Sequence, residues 1–218
     1  MKNIPRIYID CEIASGAIVS ASREIAHYLR RVMRSDTCLV FNKGVEFNAS
    51  LSSDDKHLII GAPTSHVDPS NDITLMISPV KRTDDLLNMA TQMGVRAFLP
   101  VITQRTNANH INWERMRKIV IEASEQSNRN SVPEILPPVK FSDLDLSKVV
   151  FADERVAYGH VVPGVPDNVT SVLVGPEGGF SESEFAALDS AGAHGISLGR
   201  TILRAELAAS IAIAQVLK

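Results

Sequence analysis

Val172-Leu-Val-Gly-Pro-Glu-Gly-Gly-Phe-Ser-Glu-Ser-Glu184 runs from an apolar stretch through a glycine-marked turn into a helix start. Val172 to Val174 read as a buried strand, and Ser181 with Glu184 three positions on is a capping box, so Gly175–Phe180 is the loop between strand and helix. Gly175, Gly178 and Gly179 let the main chain turn sharply and approach a ligand closely, exposing amides and carbonyls that side chains otherwise screen. A phosphate fits poorly: Glu177 sits inside the loop and no Lys-Ser/Thr pair follows. The spacing is also wrong for the dinucleotide fingerprint. A neutral or cationic ligand suits the loop better; a plain tight turn that starts a helix is the alternative.

A second turn of the same kind follows in Leu198-Gly-Arg-Thr-Ile-Leu-Arg-Ala-Glu206. Ile196–Leu198 reads as a short strand broken by Gly199, and a helix is predicted from about Ala205 to Leu217 with Leu207, Ile211, Ala214 and Leu217 on one face. Arg204 and Glu206 then fall at the helix start, near the strand ends where open α/β sheets gather ligands. An ordinary surface ion pair is the other reading of those two.

Upstream the pattern alternates: strand Ile73–Ile77, helix from about Asp84 to Met93, strand Ala97–Ile102, helix Asn112–Gln126 and strand Val149–Phe151. Strands alternating with helices predict a mainly parallel sheet covered on both faces. Pro133–Pro138 reads as a surface connection. Trp113, with Ile111, Met116, Ile119 and Val120, reads as core or as a base-stacking platform. Before residue 70 the chain differs. Cys38–Phe41 and Val45–Leu51 pair as a hairpin around Asn42-Lys-Gly44, Leu58–Ile60 adds a strand, and Gly61–Asn71 reads as a linker. Between Ser20 and Arg34, Ile25, Leu29, Val32 and Met33 follow helical spacing, with Arg23, His27, Arg30 and Arg34 on the opposite face and Arg31 beside them. That face suits phosphate contacts, or is simply solvated.

Together the two C-terminal turns resemble the RsmE family, 16S ribosomal RNA (uracil-N3)-methyltransferases of the SPOUT class. Supporting stretches are Pro5-Arg-Ile-Tyr8, His27-Tyr-Leu-Arg-Arg-Val-Met-Arg34, Ala90-Thr-x-x-Gly-Val95, Pro100, Arg105, Glu122-Ala-Ser-Glu-Gln-Ser-Asn-Arg129 and Pro133. The resemblance implies an α/β fold in two domains: a PUA-like RNA-binding β-barrel over 1–70 and a SPOUT methyltransferase domain with a deep trefoil knot over 71–218. It also implies S-adenosylmethionine as cofactor, a homodimer, and 16S rRNA as partner. On that basis Leu173, Val174, Gly175, Pro176, Glu177, Gly178 and Gly179 hold the cofactor together with Leu198, Gly199, Thr201, Ile202 and Leu203. Arg204, Glu206 and Arg6 are the expected catalytic residues. Arg204 cannot be a base, because guanidinium stays protonated; Glu206 accepts a proton or holds Arg204. Arg105 and Arg129 join Arg23, His27, Arg30, Arg31 and Arg34 as expected RNA contacts. The chain departs from the family pattern at Met89, Gln92, Arg200, Thr201, Ala205 and Leu207, where the last two replace threonine hydroxyls.

Bulk properties agree with this reading. The 218 residues are 44% hydrophobic, enough for one sizeable core or two modest ones. With 22 Lys+Arg against 25 Asp+Glu the net charge is −3, so the overall field does not hold RNA and local basic faces must. Cys11 and Cys38, with no signal peptide or spanning apolar run, point to a reduced cytoplasmic setting and no membrane. His27, His57, His66, His110, His160 and His194 show no paired spacing, so no metal site is expected. Two other classes remain: a non-catalytic RNA-binding or ribosome-assembly protein, and a small-molecule α/β enzyme binding a nucleotide.

Overall fold

The computed structural model describes residues 4–69, 71–106 and 112–217. His110 and Ile111 of the sequence reading lie outside the described residues. The chain divides into two compact units: one runs through Pro69 and includes Ile121–Val132, the other holds the rest. The division differs from a single break near residue 70, because the end of the third helix and the loop after it group with the N-terminal part.

The first unit is built on a five-stranded mixed sheet in the order β1(Arg6–Tyr8), β3(Thr37–Asn42), β4(Val45–Leu51), β5(His57–Pro63), β2(Ile18–Ser20). β1 pairs with β3 in parallel; the other pairings are antiparallel. The β3–β4 hairpin forms as expected. Lys43 and Gly44 have φ of 48° and 82°, the pair of positive values that a two-residue hairpin loop favours. β5 runs on through Gly61–Pro63, so the linker starts later than the glycine and prolines suggest. Ile7, Leu29, Val40, Leu58 and Ile60 fill the core. Cys38 lies among them, and burial pushes its thiol up to about 12.

The helix expected over Ser20–Arg34 is not regular. α1(Arg23–His27), capped by Ser22, widens over Tyr28–Met33 into π-helical turns that end at Arg34 with φ 51°. The wider turn changes which residues point inward. Leu29 is buried, but Val32 is 60% exposed. Arg23, His27, Arg31 and Arg34 are exposed, while Arg30 is tied to Asp55 at 2.8 Å.

The second unit is a parallel sheet in the order β12(His194–Ile196), β10(Val150–Ala152), β11(Ser171–Val174), β6(Thr74–Ile77), β7(Ala97–Ile102), β8(Glu134–Ile135). β9(Val139–Lys140) also pairs with β7. The Pro133–Pro138 stretch is therefore more than a surface connection. Its extended backbone supplies ladder partners to an otherwise open edge. The strands are nearly continuous apolar runs, as a sheet covered on both faces requires. Phe141, Phe151, Phe180 and Phe185 pack ring against ring beside Leu173.

The helices are α2(Thr83–Gln92), α3(Trp113–Gln126), α4(Glu182–Ser190) and α5(Ala205–Val216). Trp113 is 40% exposed, so it is not a core residue. α5 packs on α2 and β11 through Ala205, Ala208, Ala209, Ala212, Ile213 and Val216. That is the face opposite to the expected one: Leu207 is 48% exposed and Ala214 lies outward. Small residues win the inner side because they let helix and sheet approach closely. Among the described residues no helix is long and apolar enough to cross a membrane.

Candidate active site

The C-terminal ends of β10, β11 and β6 open onto one cleft of about 770 Å³, entirely within the second unit. Both glycine turns line it, which is the juxtaposition that the sequence could not establish.

The first turn is held from three sides. Behind it, the capping box forms as read: Ser181 Oγ accepts the Glu184 N–H at 3.2 Å and Glu184 Oε2 accepts the Ser181 N–H at 2.8 Å. Within it, the Gly179 N–H reaches Pro176 O at 2.9 Å, with Gly179 at φ 70°. The Phe180 ring presses on Gly175, where an added Cβ would stand 3.0 Å from it. Across it, Arg105 Nη1 donates to Gly178 O at 2.8 Å and to Phe180 O at 3.2 Å, so Arg105 braces the loop. Glu154 Oε1 accepts the Phe180 N–H at 3.0 Å. Burial raises the Glu154 carboxyl above the usual carboxylate range, against the pull of that hydrogen bond.

The second turn leaves the sheet earlier than expected. β12 ends at Ile196, not Leu198, because Ser197 turns the chain: its Oγ accepts the Gly199 N–H at 3.2 Å and its carbonyl accepts Gln215 Nε2 at 3.0 Å. Gly199 has φ 113°, which side chains other than glycine rarely adopt. Arg204 is the exposed N-cap residue of α5. The Glu206 side chain is 12% exposed and faces Arg82 at 3.8 Å, so its visible cationic partner is Arg82.

Val174 through Gly179, Leu198, Gly199, Thr201 through Leu203, Arg204 and Glu206 all line the cleft. Leu173 does not: as a central strand residue it is fully buried in the aromatic core. Arg6 requires a larger correction. It belongs to the first unit and is 8% exposed. Its guanidinium donates to Glu46 at 2.9 Å, Asn130 Oδ1 at 2.6 Å, and the carbonyls of Ser124 and Arg129 at 3.1 and 3.0 Å, while stacking over Phe41. A side chain so fully engaged ties the end of α3 and the loop after it to β1 and is not available as a catalytic group. Arg129 is half-buried in the same unit.

Sequence reasoning missed Lys81, Arg82, Glu154, Arg155 and Tyr158, which also line the cleft. Lys81 and Arg82 follow β6, and Glu154 to Tyr158 follow β10, so the strand-end rule that found Arg204 could have found them. Arg155 is a clamp. It donates to Asp153 at 2.7 Å and to Asp189 at 2.7 Å, lies 4.3 Å over the Phe185 ring, and holds the Asp189 carboxyl below its usual range.

A cleft with main-chain edges from two glycine turns, carboxylates at Glu154, Glu177 and Glu206, and cations at Lys81, Arg82 and Arg204 suits an adenosine-sized ligand that carries both charges. Fold and site thus define a class, and residues 68–217 match the model of the RNA methyltransferase domain family. Two curated relatives, both called ribosomal RNA small subunit methyltransferase E, are similar over nearly the whole chain. The Rickettsia conorii protein is 33% identical over 97% of this chain and 94% of its own, and the Aquifex aeolicus protein 30% over 93% and 94%. The crystal structure of that enzyme from Neisseria gonorrhoeae, bound to S-adenosyl methionine, superposes with a TM-score of 0.81 at 28% identity, covering 97% of this chain and 96% of that one. The chain belongs to the ribosomal RNA small subunit methyltransferase E family.

Proposed function

We propose that this protein methylates N3 of a uridine in 16S ribosomal RNA, using S-adenosylmethionine, on the small subunit in the cytoplasm. The observation that carries this reading is the convergence of Gly175–Phe180 and Leu198–Leu203 on one cleft beside Arg204 and Glu206. When bound there, S-adenosylmethionine supplies a methyl carbon made electrophilic by a sulfonium. Main-chain edges of both turns hold adenine and ribose, and Glu177 with Glu154 favours positive charge. Arg204 donates to the uracil oxygen on which negative charge develops. Glu206, oriented by Arg82, accepts the N3 proton or holds the group that does. The methyl carbon would pass to N3 as its bond to sulfur breaks, leaving a neutral thioether, and the positive charge of the sulfonium would depart with the N3 proton taken up by the base.

The first unit acts as a PUA-like RNA-binding barrel, with Arg23, His27, Arg31 and Arg34 exposed for phosphates. In the second unit the chain end passes through the β10–β11 connection as a trefoil knot. Supporting this, α5 follows the edge strand β12 yet packs on α2 and β11, while Gly164 O of that connection bonds His194 at 2.7 Å. The outward Leu207 and Ala214 suit a homodimer face.

The test combines calorimetric titration of S-adenosylmethionine with nucleoside mass spectrometry of 16S rRNA from cells with and without the gene. Saturable binding and loss of 3-methyluridine are expected. An unchanged 3-methyluridine signal sinks the substrate assignment, and no saturable binding sinks the enzyme.

A further inference from the structure

Tyr158 is 81% exposed, the most exposed aromatic ring among the described residues, and it lines the cleft. Neither packing nor a hydrogen bond among those residues accounts for it. Its mount is rigid. The single turn Glu154–Tyr158 is capped by Asp153, whose side chain accepts the Arg155 N–H at 3.0 Å, and is closed by Gly159 at φ 94°. The fork of Arg155 onto Asp153 and Asp189 fixes the same turn to α4. Lys81 and Arg204 line the cleft as well, and neither has an ion-pair partner among the described residues.

A displayed ring that shares a cleft with unpaired cations is the arrangement that holds an unstacked nucleotide: the ring takes the base face and the cations take phosphate or carbonyl oxygens. The geometry points to Tyr158 as the stacking platform for the acceptor base, an inference that rests on the proposed function. The acceptor base is favoured over the cofactor's adenine because Tyr158 stands exposed to solvent. The main-chain edges suited to adenine lie instead against buried Val174 and Phe180.

The experiment compares wild type, Tyr158→Phe and Tyr158→Ala, using small ribosomal subunits as acceptor in methyl-transfer kinetics and calorimetry for S-adenosylmethionine. Tyr158→Ala is expected to raise KM for the subunits about 5- to 150-fold, the range that loss of one base stack produces. Tyr158→Phe keeps the ring and should stay within about twofold of wild type, and cofactor affinity should hold in both. An unchanged KM in Tyr158→Ala overturns the inference while leaving the methyltransferase reading intact. A parallel fall in cofactor affinity assigns the ring to adenine and also overturns it. A wild type that binds the cofactor but methylates no ribosomal RNA fails at the proposed function, and the inference falls with it.

Discussion

Gly179 shows how much of the cleft hangs on single backbone conformations. Its φ of 70° is costly for any side chain, by roughly 1–2 kcal/mol, and a Cβ there would collide with Glu154 Oε1. Gly179→Ala should therefore weaken S-adenosylmethionine binding at least about tenfold by calorimetry. Gly164→Ala, which meets nothing within 4 Å, should leave it unchanged. Glu154 allows a pH test. Burial raises its folded-state pKa above the unfolded value, so ionisation opposes folding. That cost is fully present above the folded pKa, shrinks as pH falls through it, and is gone below the ordinary carboxylate range. Glu154→Gln keeps an acceptor for the Phe180 N–H. It should melt above wild type at pH 8, with the gap closing near pH 4, in differential scanning calorimetry. A gap that widens toward acid would contradict the assignment of burial as the dominant cause.

Among the elements, β1 and the loop after α3 depend on a single buried pair. The side chains of Arg6 and Glu46 are 7% and 3% exposed, and Thr64 Oγ1 also donates to Glu46 at 2.7 Å. Arg6→Met leaves that carboxylate buried without its cation, which should cost about 3–5 kcal/mol in chemical denaturation. Arg6→Met with Glu46→Gln should recover part of the loss. A change under about 1 kcal/mol would mean the pair is solvated and would reopen a functional role for Arg6. The sequence marked Arg6 only through resemblance, because a lone arginine in a strand carries no local signal for partners more than a hundred positions away. The β3–β4 hairpin, the capping box and the helix starts were legible, since each is decided by residues within a few positions. The π-helical widening after His27 and the inward face of α5 were not. Both are set by what packs against them.

For the whole molecule, the outward aliphatic residues of α5 test the proposed dimer. Leu207→Asp should convert a dimer to a monomer in analytical ultracentrifugation with unchanged circular dichroism, because a charge on a buried apolar seam is left unpaired. A wild type that sediments as a monomer would remove the dimer from the proposal. Residues 71–106 and 112–217 read largely correctly as alternating strands and helices, and the two glycine turns singled out from the sequence line one cleft. Order along the chain did not reveal that β10 inserts between β12 and β11, that Ile121–Val132 joins the first unit, or that Arg105 braces the glycine loop. Local sequence by itself determined the strand-turn-helix units, their caps and the glycines that must bend, because propensity, hydrogen-bonding side chains and positive φ act over a few residues. Only the tertiary structure decided which strand ends share a cleft and which charges are consumed in packing. Those outcomes depend on burial and on partners that the chain brings together from a distance.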